Sequence, residues 1–344
     1  QANATHHFLK TQASLFDGFF KNLLKTAKGK WHNLLLITYK DIYEQNRHIF
    51  DDFFSTLEMY YVNGSIDLDK SFNLFFQRIQ STMILLINKN LANKPGFLNC
   101  TSKNIDKIQP FGHYQQRISV QLKSSLVHAR TFVVGLKTGS NVTASIINYL
   151  SRNECGEGLT KIQHCSVCEG IPNAMVCNAT CNNMLQSCFK IYPQIHAYWS
   201  QFIRGVYMLS TGLDGQYDIE AVFGQLGYDI SSAIMEFHNN FLRVLTKAQT
   251  LCPIGSRKKR AVEETGSDLY LEGERVPRNV LNPPTYSTIT ERPPTLDTFT
   301  TAFRMKLAGI GNVWKELPHK ICGAQTFVSR DRNESCWNGI EMQK

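Results

Sequence analysis

The sequence predicts an elongated all-α fold: a multi-helix bundle of long amphipathic helices, stapled by disulfides. Three observations predict it. Apolar residues recur at helical spacing over most of the chain. Period-two alternation is scarce, so little sheet is expected. The cysteines number ten, an even count, and five of them fall within 165–188 as C-x2-C-x8-C-x3-C-x6-C.

The elements follow in order. Over 14–61, Phe16, Phe19, Phe20, Leu23, Ala27, Trp31, Leu34 and Leu35, then Phe50, Phe53, Phe54, Leu57, Tyr60 and Tyr61 keep the helical repeat. With no Pro, this stretch predicts one very long helix or two in series. Gly18 and Gly29 weaken it locally, and Asn63-Gly64 ends it. A second helix is expected over about 67–90, with Phe72, Phe75, Phe76, Ile79, Met83 and Leu86 on one face. A third covers about 112–136 through Ile118, Leu122, Leu126, Ala129 and Val133, and a fourth about 141–150. The cysteine cluster reads as turn-rich. Beyond it, Ile195, Trp199, Phe202, Val206 and Leu209 mark another helix, and 218–250 carries one or two more.

Residues 261–297 differ. Pro277, Pro283, Pro284, Pro293 and Pro294 stand among many Thr and Glu, so this stretch reads as a flexible linker between an N-terminal part, 1–260, and a C-terminal part, 298–344. Phe299, Phe303, Leu307, Ile310, Val313, Trp314 and Leu317 then predict one final helix, which Pro318 stops.

The 344 residues are 42% hydrophobic and 19% charged, enough for a large core without staples. The net charge of +9 points to an acidic partner: nucleic acid, anionic membrane or sulfated glycan. No apolar run reaches the length of a membrane span. The chain starts at Gln1 without Met, which reads as a mature or trimmed fragment lacking its signal peptide.

Three features place the chain outside the cytosol. Glycosylation sequons begin at Asn3, Asn63, Asn99, Asn141, Asn178 and Asn333. The cysteine count is even, the other five being Cys100, Cys155, Cys252, Cys322 and Cys336. Arg257-Lys-Lys-Arg260 followed by Ala261 has the Arg-x-Lys-Arg pattern that secretory proprotein convertases cut; a nuclear signal or a solvated charge run is the other reading, and the polar, accessible setting favours cleavage. In the cytosol, C-x2-C followed by C-x3-C would point to zinc. The spacer of eight is short for a zinc ribbon, a fifth cysteine lies close by, and extracellular context favours oxidation. No strand–CxxC–helix pattern surrounds Cys165 and Cys168, so a redox role is not expected either.

Catalytic motifs are missing. There is no G-x-S-x-G, H-E-x-x-H or P-loop, and His6, His7, His113, His128, His196 and His319 are scattered. The reading is a non-enzyme with no metal and no cofactor. A secreted hydrolase with an unrecognised site is the alternative. A nucleic-acid partner rests on charge alone, and sequons, cysteines and the lack of any nucleic-acid module argue against it.

CSVCEGIPNAMVCNATCNNMLQSC resembles the cysteine signature of glypicans, the core proteins of cell-surface heparan sulfate proteoglycans. Tyr43-Glu-Gln-Asn46 with Phe50, Tyr60-Tyr61, Gln109-Pro-Phe-Gly112, Ala129-Arg-Thr-Phe132, Cys252-Pro253, the dibasic site, Glu291-Arg-Pro-Pro294, Trp314 to Cys322 and Cys336-Trp-Asn-Gly339 occur in that family's order. The resemblance covers most of the chain. It implies that Cys100 pairs with Cys252, Cys155 with Cys188, Cys177 with Cys336, and Cys181 with Cys322. The last two would tether the piece after Ala261 to the cluster.

Departures from the family matter. Family members carry a cysteine-rich segment before the first long helix, into which the cysteines matching Cys165 and Cys168 pair; this chain starts at the helix, so their pairing stays open. The sequence has no Ser-Gly and no hydrophobic tail after Lys344, so the expected unit is a globular core without chain-attachment or lipid-anchor sites. The resemblance implies a co-receptor at the cell surface, lipid-anchored in the full-length protein, or secreted. Its partners would be growth factors or morphogens of the Wnt, Hedgehog, BMP and FGF classes, or guidance receptors. The positive charge adds heparan sulfate or acidic partner surfaces as contacts of the core itself.

Overall fold

The structure, a computed structural model, describes residues 2–150, 155–188, 192–253, 295–329 and 335–343. The helices run α1 (Ala2–Asn63), α2 (Leu68–Ile87), α3 (Pro95–Lys103), α4 (Ile105–Ile108), α5 (Tyr114–Leu150), α6 (Cys155–Cys168), α7 (Asn178–Cys188), α8 (Tyr192–Leu213), α9 (Ile219–Asn239), α10 (Phe241–Leu251), α11 (Leu296–Ala308) and α12 (Val313–Gly323). A 3-10 turn, Lys89–Asn93, joins α2 to α3. Two short strands, β1 (Cys336–Trp337) and β2 (Met342–Gln343), pair antiparallel near the C-terminal end. The architecture is therefore all-α, as the apolar spacing implies.

The 62 residues of α1 form two arms, because the backbone reverses at Lys40, where φ is +47° and ψ −126°. Pairs across the reversal sit symmetrically about that residue. Lys28 meets Asp51 at 3.1 Å, Trp31 packs edge-on to Phe54 with ring centroids 4.9 Å apart, and the Tyr61 hydroxyl donates to Asp17 at 3.2 Å. The two arms form an antiparallel hairpin. The first arm begins well before residue 14, because Thr5, Leu9, Ala13 and Phe16 continue the buried stripe.

Helix α2 packs on the returning arm through a stack of Phe53 on Phe75 at 4.0 Å. Its start is fixed by Asp67, whose carboxylate accepts the Lys70 N–H at 3.2 Å. Helix α5 has 37 unbroken residues, roughly 55 Å, and runs along the first arm of α1. The break expected near 137–140 does not occur. Gly139 there is a close-approach residue: a Cβ at this position would overlap the Phe202 ring of α8. Ser140 next to it is buried and meets His6 Nδ1 through its carbonyl at 2.9 Å. Glycine and serine, which weaken isolated helices, are here required by packing.

The cysteine cluster also differs from a turn-rich stretch. It comprises the end of α6, a turn with Gly170 at φ +75°, and α7. Most of the stretch expected as a linker, 261–297, lies outside the described residues; α11 begins at Leu296. The single final helix is two, α11 and α12, separated at Gly309–Gly311. Pro318 sits buried inside α12 instead of stopping it. Its ring occupies the packed face, and only one intrahelical hydrogen bond is forgone.

One large core unites α1, α2, α5, α8, α9 and α11. A smaller one, made of Ile162, Val176, Cys181, Leu185, Cys322, Val328 and Trp337, sits under the cysteine cluster.

Candidate functional site

Covalent ties come first. Cys100 is bonded to Cys252, Cys177 to Cys336 and Cys181 to Cys322, spanning 152, 159 and 141 residues of sequence. Two of the three join α7 or its N-terminal flank to the C-terminal piece. Cys181 and Cys322 are 1% and 0% exposed, so the second of these is shielded from reductant. The Cys155–Cys188 bridge implied by the resemblance is not formed. Cys188 is a free thiol at the last residue of α7, turned toward Met184 Sδ on its own helix at 3.6 Å, and the side chain of Cys155 lies outside the described residues. Cys165 and the exposed Cys168 are free thiols at the end of α6.

Backbone pairing reinforces the covalent ties. The segment 175–177 is held on one side by 327–329, through Val176 N to Phe327 O at 2.8 Å and Ser329 N to Val176 O at 2.9 Å. On the other side Trp337 donates to Met175 O at 2.8 Å and accepts from Cys177 N at 2.9 Å. Trp337 is 1% exposed beneath this pairing.

Away from the cluster, α11 is bound to the C-terminal end of α8 by a fork. Arg304 donates from Nη2 to Asp214 Oδ2 at 2.8 Å and from Nη1 to Asp214 Oδ1 at 3.1 Å. The Thr300 hydroxyl donates to the same carboxylate at 2.6 Å. Burial alone would raise the Asp214 carboxyl, but the Arg304 guanidinium and the Thr300 hydroxyl outweigh it and hold it below the usual carboxylate range. Trp199 Nε1 donates to Ile310 O at 2.9 Å, and the Leu296 N–H donates to Glu220 Oε2 at 3.1 Å. No spacing rule in the sequence marks Asp214 or Arg304; neither is part of a motif.

Among the described sequons, Asn3, Asn63, Asn99, Asn141 and Asn178 are all exposed. Asn63 also closes a local turn, accepting from Ser65 N and Oγ at 3.0 Å each. Asn333, Arg257, Arg260 and Ala261 lie outside the described residues.

The histidines do not converge. His6 meets Ser140, His128 meets the Leu209 carbonyl at 2.7 Å, and His113 stacks on Tyr114. Among the described residues no three His, Cys, Asp or Glu side chains come together as a metal-binding group. No described helix is long and apolar enough to cross a membrane. An apolar pocket of about 50 Å³ opens beside the α1 reversal, lined by Tyr39, Ile42, Phe50, Ile79, Met83 and Ile234 among others.

A disulfide-stapled helical core of this kind belongs to the oxidising environments outside the cytosol. The Glypican family model matches residues 1–344, and the chain belongs to the glypican family. It is 27% identical over 348 residues to Glypican-2 of Homo sapiens and 24% identical over 332 residues to Glypican-1 of Gallus gallus, covering 97% and 96% of this chain but 58% of each relative. The chain thus spans under two thirds of the length of these relatives. Among solved structures, the Drosophila Dally-Like Protein core domain superposes with a TM-score of 0.79 at 26% identity, over 99% of this chain and 81% of that one. Dally-like protein in complex with O-palmitoleoyl serine gives 0.76 at 25%, over 100% of this chain and 72% of that one.

Proposed function

We propose that this chain is the core of a non-enzymatic co-receptor that binds secreted growth factors or morphogens of the Wnt, Hedgehog, BMP or FGF classes, or guidance receptors. A lipid anchor of the longer protein would hold it at the cell surface, where an anchored binder raises local ligand concentration without chemistry. Membership of the glypican family is the observation that carries this reading. The hydrolase alternative has no support from the comparisons, and among the described residues no His, Cys, Asp and Glu side chains gather into a metal-binding group.

Cleavage after Arg260 is part of the same reading. The two bridges and the Arg304–Asp214 fork would keep the C-terminal piece in place once the chain is cut.

An acylated ligand is favoured by one specific observation. Dally-like protein has been solved with O-palmitoleoyl serine, and this chain has an apolar pocket where the α1 reversal meets α2 and α9. At about 50 Å³ the pocket accepts only part of an acyl chain, so entry requires the hairpin tip to move. The test measures binding of an O-palmitoleoyl-serine peptide and its unacylated twin to the chain, then to Ile42→Asp with Leu86→Asp, two partly exposed lining residues. Tight binding of the acylated peptide alone, weakened about tenfold by the variants, is expected. Equal binding of both peptides, or none, ends the acyl reading. Failure of ligands from all four classes and of guidance receptors to bind the displayed core ends the co-receptor reading itself.

A further inference from the structure

Where the returning arm of α1 ends, two lysines meet one carboxylate, and an arginine lies against the turn that follows. Lys21 Nζ lies 2.8 Å and Lys137 Nζ 3.6 Å from Asp17 Oδ2. Asp17 already accepts the Tyr61 hydroxyl on its other oxygen. Arg130, about two turns before Lys137 on α5, lies on the same seam, with its guanidinium against Gly64. Gly64 has φ +71°, and a side chain there would collide with that guanidinium. The Arg130 charge is close enough to Tyr61 to act on its hydroxyl.

The local charges do not balance. Among the described residues, Lys21 and Lys137 pair with no carboxylate other than Asp17, and Arg130 forms no ion pair. The Nε of Arg130 is buried and has no hydrogen-bond partner. Lys21 and Lys137 side chains are 53% and 52% exposed, so their ammonium groups face solvent beside the half-buried fork. A guanidinium fork near two half-exposed ammonium charges suits a tetrahedral oxyanion, which takes two parallel N–H donors from Arg and diffuse attraction from Lys.

We infer that the seam formed by Lys21, Lys137 and Arg130 binds sulfate groups of a sulfated polysaccharide. The inference deepens the reading of the basic core as a heparan sulfate contact and gives that contact a location. A polyanion is favoured over a single anion because the charge sits in two places along the seam of α1 and α5, the Lys21–Lys137 pair and Arg130 about two turns away, so neighbouring sulfates can meet both. The exposed sequon residue Asn63 adjoins Gly64, so an N-glycan there would border the seam.

The test uses the whole chain on immobilised heparin, over a range of salt. The double variant Lys21→Ser with Lys137→Ser removes two exposed charges without touching the core. The control Lys89→Ser with Lys94→Ser removes the same charge from exposed positions elsewhere. The expected result is about tenfold weaker binding of the first variant near 0.15 M salt, with the slope of log affinity against log salt reduced by about 2. The control should bind like the parent. Arg130→Lys, which keeps the charge but loses the fork, should weaken binding with little change in slope. If both double variants weaken equally, only net charge matters and the site is overturned while the polyanion reading stands. If the parent chain does not bind heparin, or binds phosphatidylserine vesicles instead, both fall.

Discussion

Arg304 and Asp214 form a two-pronged, half-buried ion pair between α11 and the residue that follows α8, with both side chains less than a fifth exposed. The pair joins residues on opposite sides of the convertase motif. Substituting Arg304→Ala leaves a half-buried carboxylate with only Thr300 as partner, and should lower unfolding free energy by about 2 kcal/mol. Chemical denaturation of the oxidised protein measures this directly. A midpoint indistinguishable from the parent would show that the fork contributes nothing.

The same pair sets an acid limit. The Asp214 carboxyl is depressed in the folded state, so its contribution is complete above the unfolded carboxylate value, about 3.9, and is lost as pH falls through the lower folded value. The stability gap between parent and Asp214→Asn should therefore be constant from neutral pH to about 5 and close below about 4. Thermal unfolding at a series of pH values tests it; a gap that widens in acid contradicts the assignment.

Lys40 carries the reversal of α1 in a backbone conformation natural only to glycine. Lys40→Gly removes strain of about 1–3 kcal/mol but adds unfolded-chain freedom worth about 0.5–1 kcal/mol. A net stabilisation of about 1 kcal/mol is expected in denaturant titration. Destabilisation would mean that the two arms do not turn at this residue.

Gly139 is expected to tolerate no larger side chain. Gly139→Val pushes on Phe202 where α5 crosses α8, and overpacking of this kind costs about 1–3 kcal/mol. Gly135, with open space around its Cβ position, is the comparison: Gly135→Ala should raise stability slightly through helix propensity. A reversed order of the two variants would overturn the close packing of these helices.

The two bridges to the C-terminal piece close loops of 159 and 141 residues, each worth about 5 kcal/mol in the chain-entropy model. Peptide mapping of the secreted protein should recover Cys177 linked to Cys336 and Cys181 linked to Cys322. If the chain is cut after Arg260, reductant should release a fragment beginning at Ala261. Free Cys177 and Cys181 would remove the tether.

Much was legible beforehand. The Phe and Leu repeat of 14–61 and the aromatic face of 67–90 specify buried helical stripes, because burying a Phe or Leu is worth about 1.5–3 kcal/mol and only one helical face supplies it. Tyr60, Tyr61 and the Asn63-Gly64 stop landed where the structure ends α1. The continuity of α5 was not legible. Gly139 and Ser140 look like a helix end until Phe202, some sixty residues on, is seen against them. Helices α11 and α12 merged into one reading because Ile310 and Val313 keep the apolar repeat across the Gly309–Gly311 break.

By itself, then, the sequence determined the helical class, the buried stripes, the spacing of the cysteines and the family, all of which depend on local periodicity or residue order. The tertiary structure alone decided that α1 turns back on itself at Lys40, that Arg304 finds Asp214, and that Lys21, Lys137 and Arg130 share one seam. Those are meetings between residues distant in sequence. Their energies depend on distance and burial, and neither is set until the helices have packed.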